Sequence, residues 1–235
     1  MATHVLVPGA WLGGWVWDRL RNRMPEFALV TPTLRGLTRG HGPAVTLDLD
    51  SHVKEVVDLI VGQDLRDVVL LGHSYAGLVV AGAVPQLLGR LSHVVYLDAA
   101  LPTVGCALVS EWSEAGQAAV RDEAAASGDP TRWPVPPDLN QMSVMTDFSD
   151  EDLAWFQSHA QPHPIETLFQ AVASVEHPTE AVRHTYIYCT RDRPDEPAVV
   201  SQLRDDRTWH VVELDTGHWP MITTPAALAR LLRGF

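Results

Sequence analysis

Residues 70–78 read LLGHSYAGL, a run of aliphatic residues that ends in Gly-His-Ser and continues in small residues. The aliphatic run predicts a buried strand, and the small and aliphatic residues that follow predict a buried helix. Ser74 therefore lies at a strand-to-helix turn, which suits either a nucleophile exposed on a sharp elbow or a polar residue in an ordinary loop. The usual pattern is Gly-x-Ser-x-Gly. Here Gly72 and Ala76 occupy the flanking positions, and the second glycine is displaced to Gly77.

The rest of the chain repeats the alternation of strand and helix. Continuous or alternating apolar runs predict strands at 4–7, 27–34, 67–72, 92–102, 183–190 and 208–215. Helical spacing or capping signals predict helices at 17–23, 49–62, 74–88, 149–160 and 223–235. Strands that alternate with helices form a mostly parallel, doubly wound sheet, so the fold class is α/β.

A long segment, residues 103–182, interrupts this alternation late in the chain. It is rich in proline, alanine, acidic residues and tryptophan, and it shows no clear strand pattern. We expect one domain over residues 1–235, with this segment as a mainly helical cap insertion. The insertion should cover the carboxyl edge of the sheet, where ligands bind in such folds.

Composition excludes several classes of protein. The chain has 235 residues, 46% of them hydrophobic, and a formal net charge of −12 without a basic stripe, which argues against nucleic-acid binding. The N-terminus enters a strand within a few residues and shows no signal peptide, and no apolar stretch is long enough to span a membrane. Two cysteines, Cys106 and Cys189, are no disulfide framework. We expect a cytoplasmic protein, with a homodimer as its candidate assembly.

A serine nucleophile needs a base and an orienting carboxylate. His218 follows the last predicted strand, from which it can reach back to Ser74. For the carboxylate we prefer Asp192, the first acidic residue after the penultimate strand. Asp195 and Asp98, which lies at the end of the fourth strand, remain alternatives. Asp215 lies too close to His218 along the chain and suits a turn.

Two backbone N–H groups should hold a developing oxyanion. One is that of Tyr75, directly after the serine, and the other is that of Ala10, in the loop after the first strand. Glycines and small residues in PGAWLGG (8–14) suit close approach of the backbone to a ligand. Trp11 and Trp219 adjoin these loops and are candidate substrate-binding residues. His159 and His163 lie four apart, but flanking prolines break a helix there, so we expect no metal.

Taken together, these stretches resemble a known family. The chain is similar to the α/β-hydrolase superfamily over nearly its full length and, more narrowly, to the small esterases and hydroxynitrile lyases typified by plant salicylate methylesterases and their bacterial relatives. The stretches that carry the resemblance are VLVPGAWLGGWVWDRL, TPTLRGL, DLRDVVLLGHSYAGLVVAG, HVVYLDAALP, YIYCTRDR and TGHWPMITTPAALARLL. It implies Ser74 as nucleophile, His218 as base, Asp192 as acid, and Ala10 and Tyr75 as the oxyanion hole.

Three positions depart from that family's pattern. Pro8-Gly9 stands where His-Gly is common, Ala76 replaces the elbow glycine, and Trp219 occupies the place of a lysine that the lyases use. A cyanohydrin lyase is therefore disfavoured.

We interpret the chain as a serine hydrolase that cleaves a small or medium apolar ester or lactone through an acyl-enzyme, without a cofactor. Two alternatives stay open because a fold does not fix a reaction. One is a natural-product biosynthetic enzyme (a cyclase, lactonase or offloading catalyst). The other is a slow-turnover, receptor-like ligand-binding protein.

Overall fold

A computed structural model of the chain contains a parallel six-stranded sheet, described here for residues 2–40, 47–137, 139, 147–173, 182–191, 193 and 195–235. Its strands are β1 (Thr3–Val7), β2 (Ala28–Val30), β3 (Val68–His73), β4 (Leu91–Leu97), β7 (Arg183–Cys189) and β8 (Trp209–Leu214). Two further strands, β5 (Arg132–Trp133) and β6 (His163–Pro164), belong to the insertion. The order is β2-β1-β3-β4-β7-β8, and every pairing is parallel. The predicted α/β class with a parallel sheet is thus confirmed.

Helices connect these strands. Those outside the insertion are α1 (Asp18–Arg21), α2 (Leu49–Gly62), α3 (Ala76–Leu87), α7 (Ala198–Asp205), α8 (Pro220–Thr223) and α9 (Pro225–Leu232). The helix predicted at 49–62 has these bounds, and it begins where the Asp48 carboxylate accepts the backbone N–H of Ser51 at 2.9 Å. The helix predicted at 17–23 is instead a short 3-10 helix, Gly14–Trp17, followed by α1.

The strand order explains where a site can form. The chain passes from β1 outward to β2 and then returns to the other side of β1 with β3, so the winding direction reverses between β1 and β3. A crevice opens at the carboxyl ends of strands at such a switch point. Ala10 follows β1 and Ser74 follows β3, so the sheet places both residues at this crevice.

Burial accounts for the strand sequences. Every residue of β3 is buried, which fits its uninterrupted aliphatic run at the centre of a sheet covered on both faces. The edge strand β2 spans three residues, shorter than the 27–34 predicted. Pro32 follows it closely and cannot donate a backbone N–H to a ladder, which explains the early end.

The insertion between β4 and β7 is mainly helical in its described part. It contains a 3-10 helix (Leu108–Glu111) and the helices α4 (Glu114–Ala126), α5 (Asp150–His159) and α6 (Glu166–Phe169). Of these helices, the sequence pattern predicted only α5, as residues 149–160. It also did not reveal a two-residue antiparallel pair of β5 (Arg132–Trp133) with β6 (His163–Pro164). Strands this short carry no readable alternation. The pair ties the two halves of the insertion together.

The turn at Ser74 is held by close packing. Ser74 has φ +54°, in the left-handed region that non-glycine residues rarely adopt. A Cβ on Gly72 would lie 2.5 Å from the carbonyl oxygen of Ala76, and one on Gly77 would lie 2.1 Å from the carbonyl oxygen of Ala100. Ala76 itself fits and is fully buried. The second glycine of this elbow is therefore required at Gly77, which explains its displacement from the usual pattern.

Both cysteines are free thiols; Cys106 is half-buried and Cys189 is buried. Burial raises the pKa of the Cys189 thiol well above its usual value, so this group stays protonated and packs as a small apolar side chain.

None of the helices in the described ranges is long and apolar enough to cross a membrane. The cytoplasmic location stays a prediction.

Substitution of two helical glycines tests the packing at the elbow. Gly77→Ala should lower the melting temperature by about 4–10 °C, since the added methyl group meets a backbone oxygen that cannot move away. Gly62→Ala is the matched control because no atom lies within 4 Å of its would-be Cβ. It should raise the melting temperature slightly, as alanine stabilises a helix relative to glycine. Equal shifts in both variants would contradict the packing argument.

Candidate active site

Three polar side chains meet at the carboxyl edge of the sheet. The Ser74 hydroxyl lies 3.0 Å from His218 Nε2, and His218 Nδ1 lies 2.5 Å from an Asp98 carboxylate oxygen. Ser74 follows β3, Asp98 follows β4, and His218 stands in the loop between β8 and α8. Because parallel strands end at one edge, residues 120 and 144 positions apart come into contact.

The hydrogen bonds of Asp98 determine which ring nitrogen of His218 carries the proton. The carboxylate accepts from His218 Nδ1, from the Arg193 guanidinium and from the backbone N–H of Cys189 at 3.3 Å. Burial alone raises the pKa of the Asp98 carboxyl, but the hydrogen bond from His218 and the charges of His218 and Arg193 outweigh it, and its pKa falls below the usual value. An ionised Asp98 fixes the proton of His218 on Nδ1. Its Nε2 is then free to accept the proton of Ser74.

The partner of His218 differs from the residue that the sequence favoured. Asp192 was preferred, yet Asp98 occupies the position beside His218 Nδ1; Asp192 itself lies outside the described residues. Asp195 is exposed, and Asp215 pairs with Arg191 at 3.4 Å, as suits a turn residue. β4 and β7 are neighbours in the sheet, so both strands end near His218, and the structure shows the Asp98 carboxylate on His218 Nδ1. The role of Asp192 stays a prediction.

One signal in the sequence pointed to Asp98. It directly follows the buried strand HVVYL, without an intervening residue that could turn it away. Its backbone has φ +43°, and its own N–H donates to the carbonyl oxygen of Ile187 in β7 at 2.8 Å. This sharp turn at the strand end aims the side chain along the edge of the sheet, toward His218.

The loop after β1 presses against the elbow. A Cβ on Gly9 would lie 2.9 Å from His73 Nδ1 and 3.0 Å from Ser74 Cβ, so only glycine allows this approach. The structure brings Ala10, Ser74 and Tyr75 to the wall of one cavity. This placement agrees with the two predicted oxyanion donors, and their role stays a prediction.

A cavity of about 280 Å³ opens above Ser74. Trp11 and Trp219 lie in its wall, where the sequence predicted them, and their role in binding substrate stays a prediction. The insertion contributes further residues that pattern reading missed: Leu108, Glu111, Trp112 and Trp133. The rings of Trp11 and Trp133 are 4.1 Å apart between centroids, so the insertion packs directly on the loop after β1. The cavity is therefore mainly aromatic, with one carboxylate at Glu111.

His73 contacts the backbone of the base, His218. The sequence did not predict this contact. Its Nε2 donates to the carbonyl oxygen of His218 at 2.8 Å, and the two rings lie 4.7 Å apart. Burial lowers the pKa of His73 to about 3, so the ring is neutral at physiological pH. The residue before the nucleophile thus fixes the backbone of the base.

The side chain of Tyr75 is anchored behind the elbow. Its hydroxyl lies 2.9 Å from His52 Nδ1, and His52 Nε2 donates to the carbonyl oxygen of Arg35 at 2.8 Å. Since Nε2 carries the proton, Nδ1 accepts from Tyr75. Burial lowers the pKa of His52 to about 4 and raises that of Tyr75, so both groups are neutral. This chain of hydrogen bonds holds the residue that carries one predicted oxyanion donor.

Within the described ranges, no group of three or more histidine, cysteine, aspartate or glutamate side chains could hold a metal ion. The two histidines that lie four apart have separate partners. His159 Nδ1 lies 2.9 Å from the carbonyl oxygen of Trp155, and His163 Nε2 lies 2.8 Å from the Thr167 hydroxyl.

Comparison with known proteins agrees with this geometry. A family model described as an alpha/beta hydrolase family matches residues 5–231. The chain belongs to the alpha/beta hydrolase family. Among curated proteins, it is 29% identical over 244 residues to a carbendazim hydrolyzing esterase of Nocardioides sp. (strain SG-4G), covering 99% of this chain and 98% of that relative.

Solved structures support the same fold. An extracellular alpha/beta-hydrolase from a Paenibacillus species, described as homologous to tobacco salicylic acid binding protein 2, has a TM-score of 0.81 at 24% identity, covering 100% of this chain and 98% of that one. A methylesterase from Arabidopsis has a TM-score of 0.75 at 22% identity, with 100% and 98% covered. The predicted resemblance to α/β-hydrolases and small plant-type esterases is confirmed.

The buried His52 makes stability depend on pH. In the unfolded chain its pKa is near 6.5 and in the folded chain about 4, so both states are neutral above pH 6.5. Below that pH the unfolded state binds a proton that the folded state does not, and the free energy of unfolding falls until about pH 4. His52→Gln should flatten this decline by up to about 1.4 kcal/mol per pH unit in urea unfolding.

His210 supplies the control for this experiment because its side chain is exposed on β8. His210→Gln removes a histidine without removing a buried ring, and the decline should stay as steep as in the unmodified protein. A decline that is equally steep after His52→Gln would show that this ring does not govern the acid limb.

Proposed function

We propose that the protein is a serine carboxylic ester hydrolase with Ser74 as nucleophile, His218 as general base and Asp98 as the orienting acid. The observation that carries the proposal is the continuous hydrogen-bond line from Ser74 through His218 to Asp98 at the floor of a cavity. The full-length relative that is named an esterase supports the reaction class. No step requires a cofactor.

In the first half-reaction, His218 Nε2 takes the proton of Ser74 as its oxygen attacks the ester carbonyl. The backbone N–H groups of Ala10 and Tyr75 hold the resulting oxyanion; loss of one such donor typically lowers kcat about 10²–10³-fold. Asp98 stabilises the imidazolium that forms and takes no proton itself. When the carbonyl re-forms, the alcohol leaves with the proton from His218 Nε2.

Water completes the second half-reaction. His218 Nε2 takes a proton from a water molecule that attacks the acyl carbon on Ser74 Oγ. The second tetrahedral intermediate then collapses, the bond to Ser74 Oγ breaks, and His218 returns the proton to the serine. The carboxylic acid product leaves, and general acid–base assistance of this kind contributes typically 10²–10⁴-fold.

The cavity favours a compact, apolar substrate. A volume of about 280 Å³ with walls of four tryptophans (Trp11, Trp112, Trp133 and Trp219) suits a small or medium ester or lactone with a planar or aromatic part. The relative from Nocardioides is named for hydrolysis of carbendazim, so we include carbendazim among the candidate substrates here. The Glu111 carboxylate in the wall and the net charge of −12 disfavour esters that carry a carboxylate.

Active-site labelling tests the proposal directly. A fluorophosphonate should label one serine per chain, and p-nitrophenyl esters of short acids should be turned over many times. Ser74→Ala should abolish labelling and lower kcat by about 10⁵–10⁶-fold, because the attacking oxygen is lost. Ser92→Ala is the matched control: its hydroxyl donates to the Val68 carbonyl at the far edge of the sheet. Turnover that survives Ser74→Ala would overturn the proposal.

A second pair of variants distinguishes the two carboxylates. Asp98→Asn should lower kcat about 10⁴-fold, since an amide cannot hold the proton of His218 on Nδ1. Asp192→Asn should change kcat less than about tenfold. Circular dichroism of both variants checks that they fold, because Asp98→Asn also leaves Arg193 without its charged partner. If Asp192→Asn lowers kcat more than Asp98→Asn does, Asp192 and not Asp98 is the acid that orients His218.

A further inference from the structure

The insertion contacts the loop after β1 through the backbone of Trp11. The N–H of Trp11 donates to His163 Nδ1 at 3.4 Å, and the carbonyl oxygen of Trp11 accepts the N–H of Gln161 at 2.9 Å. Both backbone groups of one residue are therefore held by a single short segment, 161–163. This segment lies 150 residues further along the chain, and it directly follows α5.

Hydrogen bonding fixes His163 as an acceptor toward Trp11. The Thr167 hydroxyl donates to the carbonyl oxygen of Pro164 at 2.7 Å, so its oxygen accepts from His163 Nε2 at 2.8 Å. Nε2 then carries the ring proton, and Nδ1 presents its lone pair to the N–H of Trp11. His163 is fully buried, and burial lowers its pKa well below the usual value, so the ring stays neutral.

Trp11 needs external support. Its φ is +65°, a left-handed conformation that is unfavourable for a non-glycine residue. Pro8, three residues earlier, has no N–H with which to brace the loop. The Gly9–Ala10 peptide carries the predicted oxyanion donor, and its carbonyl oxygen accepts the N–H of Leu12 at 3.3 Å. Trp11 lies inside the turn that this bond closes, so its conformation bears on the orientation of that peptide.

A second contact from the insertion reaches the loop of the base. One oxygen of Asp147 accepts the N–H of Gly217 at 2.9 Å, the Thr216 hydroxyl at 3.1 Å and the Thr223 hydroxyl at 3.0 Å. Arg191 also donates to it at 3.2 Å. The carboxylate is nearly buried and packs closely against Gly217, where a Cβ would lie 2.4 Å from the other Asp147 oxygen.

We propose that the insertion does more than line the cavity: through His163 and Asp147 it positions the two loops that carry the oxyanion donor and the base. His163 and Asp147 are positioning residues, since neither lines the cavity. The kinetic part of this inference rests on the proposed esterase activity. The contacts of the insertion with the two loops do not rest on that activity. An experiment can therefore reject the positioning role and the proposed function separately.

His163 variants test the contact to the loop after β1. His163→Leu removes the acceptor and should lower kcat about 10–100-fold while KM changes less than about threefold, because a displaced oxyanion donor affects the transition state. His163→Asn places an oxygen near the position of Nδ1 and should restore much of kcat. Rates are taken per fluorophosphonate-titrated site, so that misfolded protein does not count.

Hydrogen–deuterium exchange provides a readout without turnover. The backbone amide of Trp11 should exchange at least tenfold faster in His163→Leu, and in His163→Asn it should stay close to the rate of the unmodified protein. Unchanged exchange and unchanged kcat per titrated site would overturn the role of His163, whatever the melting temperature. Faster exchange in a protein that hydrolyses no ester would retain the contact and reject the proposed function.

Asp147 variants test the contact to the base. His218 is faced by Asp98, by His73 and, through Asp98, by Arg193. Asp147→Leu should loosen the loop, weaken the hydrogen bond to Asp98, and move the acid limb of the pH profile of kcat/KM to lower pH by at least half a unit. Asp147→Asn keeps an acceptor oxygen and should shift the acid limb of the pH profile less than Asp147→Leu does. The His163 variants should leave this limb in place.

Asp129 serves as the control because it is a carboxylate of the insertion that is hydrogen-bonded within the insertion. Asp129 accepts the N–H and hydroxyl of Thr131 within the insertion, so Asp129→Asn should leave kcat and the pH profile unchanged. If Asp147→Leu shifts the profile no more than Asp129→Asn does, the insertion does not position the base.

Discussion

The hydrogen bond between the buried carboxylate of Asp98 and His218 is the contact on which the rest of the site depends. A charge with 6% exposure is stable only when it is paired and hydrogen-bonded. Here Arg193, the Cys189 N–H and His218 together satisfy it, and they come from two segments, the end of β7 with its following loop and the loop after β8. The charge therefore requires the ends of β4, β7 and β8 to be adjacent, and that adjacency in turn delivers His218 to Ser74.

Three residues of the site share an uncommon backbone conformation. Trp11, Ser74 and Asp98 each follow the carboxyl end of a strand, and each has a positive φ without being glycine. Such conformations persist only when the surroundings over-determine them. At Ser74 the surroundings are the glycines packed against neighbouring carbonyls, at Asp98 they are the hydrogen bonds to β7, and at Trp11 they are two bonds from the insertion. Backbone strain in this site therefore lies just after the strand ends, where the chain must hold these side chains in fixed orientations.

Sequence reasoning succeeded where the determinant was local. The aliphatic run before Ser74, the small residues after it and the position of His218 after the last strand are all readable from spacing, and the structure brings these two side chains together. The strand that ends directly at Asp98 was a signal, but it did not decide between Asp98 and Asp192. That choice depends on which strand ends lie side by side and on the position of the Arg193 charge. His163 and Asp147 lie in a segment without periodicity, and only the folded chain shows what they contact.

The insertion also has a consequence for how the protein folds. Contacts that assemble the site join residues 120, 144 and 152 positions apart, and such long loops close slowly relative to local helices. No single half of the chain contains a working subset of these contacts. We therefore expect activity to return late after dilution from denaturant, after helical circular dichroism has returned, because it requires closure of the last loops and not only collapse of the core.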